Sequence, residues 1–425
     1  MVLALKNTKK SNNLTLSKKQ SVNVIYISSY IPRKCGIATF THDLTSSVNK
    51  LKVGNSAEVV AITDNGQSYE YHKDVKCQIR QFNKSDYEKA VEYINKSSAN
   101  VVNLQHEFGL YRLLDKDEAC CSSAIADDDT SNNQVNINLE NGNYLLSMIK
   151  SINSPIITTF HTILSNPDSQ QLYEMRKLIE YSYAVIAMTE ASKQALIRVY
   201  NCPTDKVRVI CHGVPDFQYN QTKKYQQRLG IKDANPMLLE AGLLGPGKGL
   251  EFAINAMPKI LKSAPKAKLF IVGQTHPVII RNDGELYREC LEALIKKLEI
   301  GKSVVFVNHY LAGDDLFDYF QAANFFVTPY LNMQQSASGT LAWALGAGKI
   351  CVSTPFQYAR EMLSDGAGIL VRQKSSTAIA NSIVGVFNDP LLAESIQKKA
   401  YARGHQYIWS NTASDYAKIF RECIK

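Results

Sequence analysis

Residues 332–355, NMQQSASGTLAWALGAGKICVSTP, decide how this chain is read. A polar Ser/Gly/Gln loop opens into a short apolar helix over 340–345, and a Gly break then leads to a buried strand over 350–353. A loop of this kind that runs into a helix start presents unpaired backbone N–H groups and the positive end of the helix dipole, which suits phosphate or sugar hydroxyls. Its plain alternative is an ordinary loop–helix–strand unit of an α/β domain. The surrounding sequence decides between the two.

Upstream, the apolar run 237–244 leads into Gly245, Pro246, Gly247, Lys248 and Gly249, and a helix is expected over 250–263. A strand, a Gly-rich turn with one lysine and a helix start are what a diphosphate requires. Glycine lets the backbone approach, the helix end supplies N–H groups and the lysine supplies charge. The spacing is not that of a P-loop. Further short apolar runs at 267–272, 304–307, 324–328 and 368–371 alternate with helical stretches. The first half repeats the pattern, with runs at 22–27, 57–62, 101–104, 155–160, 184–188 and 207–210. Continuous apolar runs alternating with helices predict parallel sheets covered on both faces, whose ligands sit at the carboxyl ends of the strands. The fold class is therefore α/β, with two Rossmann-like doubly wound domains facing each other across a cleft.

The strand-end rule selects residues. In the first half they are Arg33, Lys34 and Gly36 after the first run, Gln105, His106 and Glu107 after another, then His161 and Glu190. One histidine at such a place usually serves structure; several converging on one rim define a site.

With 425 residues the chain calls for two domains. The expected division is a basic leader (1–20), a first domain (21–216), a linker (217–232), a second domain (233–405) and a C-terminal helix (406–425) crossing back to the first domain. The polar stretch 115–140, with Asp127, Asp128 and Asp129, is expected to be a solvated insertion and not a cation site. The formal charge of +9 admits nucleic acid, an acidic membrane surface or an anionic substrate. Of the nine cysteines, seven are scattered and Cys120 and Cys121 are adjacent, with no CxxC pair and no zinc spacing. With no apolar span or signal core visible either, a cytoplasmic placement is expected.

The motifs PRKCGIATF, NLQHEFG, TTFHT, VIAMTEASK, VICHGV, EAGLLGPGKGLEF, IVGQTHP, VTPY and SGTLAWALGAGK, taken in order, resemble the family 4 glycosyltransferases of the GT-B fold. The resemblance covers about residues 22–423 apart from the insertion, and the second half is most similar to a subgroup associated with mannose metabolism. It implies retaining transfer of a hexose, mannose first, from a nucleotide-diphosphate sugar. The implied acceptor is a glycan, a lipid or a small hydroxyl compound. A peripheral membrane contact is implied where the acceptor is lipid-linked, and no nucleic acid. No cofactor beyond the nucleotide sugar as co-substrate is implied, and no metal.

Residue by residue, the resemblance makes His161 the histidine beside the donor sugar and Lys248 the lysine on the donor phosphates. It places Gly36, Gly245, Gly247, Gln335, Ser338, Gly339, Thr340 and Glu361 about the donor. Arg33, Lys34, Gln105, His106, Glu107 and Glu190 fall on the acceptor side or rim. Two departures stand out. Leu243 occupies the place of a family arginine, leaving Arg33 or Lys34 to supply that charge. Gln335 and Trp343 stand where two glutamates are usual, so no carboxylate acts at 335; Trp343 is expected either beside the nucleoside or in the core. These losses keep open a degenerate binding protein, or another GT-B activity such as a sugar phosphorylase or epimerase.

Overall fold

The structure is a computed structural model that describes residues 21–111, 143–311 and 313–424. The expected leader and insertion lie outside the described residues. The first sheet holds β1 (Val24–Ser28), β2 (Glu58–Thr63), β3 (Val75–Arg80), β4 (Val101–His106), β5 (Ile156–Phe160), β6 (Ala184–Ala187) and β7 (Val207–Val209). Its order is β3-β2-β1-β4-β5-β6-β7, and every pairing is parallel. The second holds β8 (Met237–Ala241), β9 (Lys268–Val272), β10 (Val304–Val307), β11 (Phe325–Thr328), β12 (Ile350–Ser353) and β13 (Ile369–Leu370). Its order is β10-β9-β8-β11-β12-β13, again parallel throughout.

Period-two alternation divides the core. In β1, Val24 and Tyr26 face a central cluster while Ile25 and Ile27 face an outer one. In β8, Met237 and Leu239 join the same central cluster, and Leu238 turns to the outer face of the second sheet. The central cluster thus runs from one sheet into the other. The helix Trp409–Glu422 carries it across, with the Phe420 ring 6.2 Å from that of Tyr26 and Tyr416 Oη 3.0 Å from Thr159 Oγ1.

In both sheets the strand order reverses beside the first strand, between β1 and β4 and between β8 and β11. Ligands of open parallel sheets bind outside the carboxyl ends at such switch points. The loops after β1, β4, β8 and β11 are therefore the ones that matter.

One strand was not foreseen, and one sequence expectation changes. Strand β3 has no continuous apolar run because it is an edge, with Lys76, Gln78 and Arg80 exposed along it. Residues 217–232 are not a free linker, because the helix Thr222–Arg228 packs onto the helix Gly313–Ala322, with the Tyr225 and Phe317 rings 5.9 Å apart and Arg228 paired to Asp318.

Candidate functional site

The first wall is built on β4 and β5. Asn103 Nδ2 donates to the Ile157 carbonyl at 2.9 Å, and Gln105 Nε2 donates to Asn103 Oδ1 at 2.6 Å. That fixes the amide of Gln105, so its Oε1 faces His161 Nε2 at 2.8 Å and the imidazole proton lies on Nε2. His161 Nδ1 keeps a lone pair for a hydroxyl. Burial, with smaller contributions from His212 and His106, pushes the His161 imidazole down to about 3. It is neutral at physiological pH and can accept a hydrogen bond. The Phe40 ring stands edge-on at 5.0 Å from both His161 and His212. His212 Nδ1 donates to the Gly213 carbonyl at 2.7 Å, and burial pushes this ring down to about 4.

The second wall is built on β8, β11 and the helix Gly339–Gly346. Lys248 Nζ donates to Tyr330 Oη at 2.7 Å and lies 4.2 Å over the Tyr330 ring. Tyr330 Oη is in turn 3.3 Å from Thr340 Oγ1. Burial alone would depress the ammonium, but Tyr330 and Glu240 outweigh it and leave it raised, hence charged. Ser338 caps the helix by accepting from the Leu341 amide at 3.3 Å. The two preceding amides, of Gly339 and Thr340, have no intrahelical acceptor and point out of the helix start. Gly242, at φ +126°, leaves the lysine tip uncovered, since a β-carbon there would sit 3.4 Å from Lys248 Nζ. Among the described residues this combination of a held cation, free amides and bare backbone suits a phosphate.

The walls meet. A β-carbon at Gly339 would lie 2.8 Å from His212 Nε2, so the helix start abuts the first domain. Ser336 Oγ accepts from the Ile163 amide at 2.9 Å and donates to the His161 carbonyl at 3.2 Å. Lys34 Nζ reaches Gln274 Oε1 at 3.0 Å, and Thr39 Oγ1 lies 3.0 Å from Tyr310 Oη. Gly36, the first residue of the helix Gly36–Lys50, has open space at its β-position, as a close ligand approach requires.

Other expected residues fall elsewhere. His106 is fully buried, with Nε2 on Glu174 Oε1 at 2.8 Å and its ring among Phe108, Tyr111 and Phe160. One residue of alternation along β4 sends Gln105 towards His161 and His106 into the core, so His106 is not on the rim. Glu107 accepts from Thr162 Oγ1 at 2.7 Å and from the Phe108 amide, and burial raises its carboxyl. Gly245 is buried, and a β-carbon there would meet the Ile279 side chain, so its smallness also serves packing. Gly247 is exposed in the turn, with nothing over it. Gln335 is half-buried and donates Nε2 to the Ala337 carbonyl at 3.0 Å, which leaves its Oε1 as an acceptor.

Glu361 was expected at the donor. Its carboxylate instead accepts from the amides of Glu190 and Ala191 at 2.8 and 2.9 Å, capping the helix Glu190–Tyr200 of the first domain. There it lines a cleft of about 500 Å³ between the halves, with Gln334 and Arg360. The Glu190 side chain turns outward to Lys193. Trp343 is core, 7% exposed, with its indole against Phe217 and Phe320.

Sequence reasoning missed Glu240, Gly242 and Tyr330. Glu240 is 1% exposed, has one oxygen without a partner, and burial pushes its carboxyl up to about 7 against the pull of Lys248. A lone acidic residue inside an apolar strand was the available signal.

Two parallel α/β domains that face each other, each offering the switch point of its sheet, define the GT-B class. The family model "Glycosyl transferases group 1" matches residues 221–403 and "Glycosyltransferase Family 4" matches residues 141–216. Together they take in more than half of the chain, which belongs to the family 4-like glycosyltransferases of the GT-B fold. An uncharacterised glycosyltransferase of Methanocaldococcus jannaschii is 27% identical over 269 residues, covering 61% of this chain and 65% of that protein. The match thus spans less than two thirds of that relative's length. A sucrose-phosphate synthase structure from Thermosynechococcus elongatus has a TM-score of 0.71 at 17% identity, covering 94% of this chain and 98% of its own. A UDP complex of Anabaena HepE has a TM-score of 0.68 at 16% identity, covering 94% and 99%. Among the described residues no helix is long and apolar enough to cross a membrane.

Proposed function

We propose that the protein is a retaining glycosyltransferase that moves a hexose from a nucleoside-diphosphate sugar to an acceptor hydroxyl. The observation that carries this reading is Lys248, held by Tyr330 beside the uncapped amides of Gly339 and Thr340, on a wall that abuts the neutral His161 wall. The anomeric C–O bond to the diphosphate breaks and a C–O bond to the acceptor forms on the same face. The acceptor proton passes to the departing diphosphate oxygen. Charge develops on that leaving group, where Lys248 and the two amides are already in place. His161 Nδ1 accepts from a sugar hydroxyl, and the Gln335 carbonyl oxygen can do the same. Because a cation and helix amides meet the leaving-group charge, this reading needs no metal.

For the donor we propose GDP-mannose, supported by the resemblance of residues 275–349 to the mannose-associated subgroup. UDP- and ADP-sugars are the competing donors, and the UDP-bound neighbour supports the nucleotide-diphosphate class. The acceptor is a glycan, a lipid or a small hydroxyl compound, and a lipid-linked acceptor would bring this basic chain to a membrane surface from the cytoplasmic side. Calorimetric titration with GDP-, UDP- and ADP-sugars, followed by anomeric analysis of the product, tests it. Binding of none of them overturns the reading, and an inverted product overturns retention. The missing charge at Leu243 and carboxylate at Gln335 favour one second reading, a nucleotide-sugar binder without turnover. Tight donor binding with no transfer across a broad acceptor screen would select it.

A further inference from the structure

Arg33 sits in the loop after β1, at the switch point of the first sheet, with a side chain only 12% exposed. Its Nη2 meets Asp64 Oδ1 at 2.5 Å, while its Nη1 is buried and has no partner. The guanidinium is hydrogen-bonded to Asp64 through Nη2 and Oδ1, while Asp64 Oδ2 accepts from Tyr69 Oη at 2.9 Å. A guanidinium normally fills its fork, and an orphaned buried nitrogen marks a place for an absent acceptor.

From the second domain, His276 lies two residues beyond Gln274, which Lys34 contacts at 3.0 Å. Its Nδ1 accepts from the Val278 amide at 3.2 Å, so its proton lies on Nε2 and is free to donate. Burial, then Lys248 and Arg33, hold this ring below its ordinary value, with Asp64 opposing. The loop that carries Arg33 meets the loop that carries His276 where Lys34 Nζ reaches Gln274 Oε1 at 3.0 Å, and Asp64 and Tyr69 are the hydrogen-bonded groups on the Arg33 side. Lys34 is exposed and already committed to Gln274. Arg33, not Lys34, is the cation with capacity to spare.

We propose that Arg33 Nη1 and His276 Nε2 form a second phosphate-binding element, contributed from both domains on the Lys248 side of the cleft. The ligand is a phosphate oxygen, from the donor diphosphate or from a phosphate ester on the acceptor. This deepens the glycosyltransferase reading and rests on it for the location of the donor. Arg33 supplies from the first domain the charge that Leu243 lacks in the second.

The test measures binding of GDP and UDP, and of inorganic phosphate to the free and nucleotide-saturated protein, for the full chain and for Arg33→Gln and His276→Ala. A rise of about tenfold or more in nucleoside-diphosphate Kd for Arg33→Gln, with nucleoside affinity unchanged, supports the element and assigns it to the donor. Unchanged nucleotide affinity with loss of phosphate binding to the nucleotide-saturated protein supports it and assigns it to the acceptor. Loss of neither, in a variant that melts like the parent, overturns it. Should Arg33→Gln not fold, Arg33→Lys, which keeps the charge beside Asp64 but not the second fork nitrogen, carries the same comparison. If the parent binds no nucleotide at all, the function reading fails, and phosphate binding to the free protein judges the element separately.

Discussion

Replacing Lys248 by Met removes one charge and leaves most of the side-chain volume. At an effective dielectric of about 20, an ammonium roughly 4 Å from a phosphate oxygen contributes about 4 kcal/mol of gross attraction. Desolvation and the loss of water contacts leave a net of about 1.5–3 kcal/mol for a charge-assisted hydrogen bond. Nucleoside-diphosphate Kd should therefore rise roughly 10- to 150-fold, while the affinity of the bare nucleoside stays within about twofold. Two local responses modulate the value. Tyr330 Oη loses its donor at 2.7 Å but keeps Thr340 Oγ1 at 3.3 Å, so it is not left alone. Glu240, already pushed up to about 7, loses the cation that lowers it and becomes more fully protonated at neutral pH. That relieves some repulsion of the diphosphate and draws the expected loss towards the lower end. Calorimetric titration with GDP and guanosine, alongside UDP and uridine, reads the effect directly. A folded variant that binds diphosphate and nucleoside as the parent does would refute the phosphate reading of this wall.

On the proposed reading, His161→Ala should lower the transfer rate by about 100-fold or more while changing nucleoside-diphosphate Kd only a few-fold, because the ring is neutral and its Nδ1 is assigned to a sugar hydroxyl and not to the phosphates; steady-state kinetics beside titration separate the two. Glu240→Gln should be increasingly stabilising as pH rises from 4.5 through 7. The folded carboxyl titrates near 7 and its ordinary value is 4.5, so its contribution is present below 4.5 and lost as pH rises through 7. The melting-temperature gain of the variant should thus be larger at pH 8 than at pH 5, worth at most about 3 kcal/mol, and an equal gain at both removes the argument. Trp343→Glu should cost stability, of order 3–5 kcal/mol or more, and bring no gain in donor affinity, since the indole packs on Phe217 and Phe320; a folded variant with tighter donor binding would place residue 343 in the site.

What was legible in the sequence follows burial. Central parallel strands are apolar on both faces, so β1, β4, β8 and β11 show as continuous runs, and the residues at their carboxyl ends could be read directly. Lys248, in the loop after β8, was accessible in that way, and His161 stands directly after β5. The errors came where a distant partner decides. His106 and Gln105 are adjacent in sequence and opposite in fate, because Glu174 waits on one face of β4 and His161 on the other. Glu361 is claimed by amides 170 residues away.

The same dependence on distant partners bears on the missing charge at position 243. Taken in isolation, Leu243 and Gln335 argue for lost function, since the second domain then offers the diphosphate a single cation. That domain also buries Glu240 close enough to raise Lys248, which makes its net positive charge weaker still. On the proposed reading, Arg33 and His276 restore the balance only when the domains are together, for one belongs to each. A second-domain site this weakly charged should hold the donor loosely until the Ser336, Lys34 and Thr39 contacts bring the first domain against it. Donor binding and domain closure are then one thermodynamic event, since a ligand shifts an equilibrium only by its differential affinity for the two states. The substitutions that look like decay in a single domain make sense as a division of the site between two.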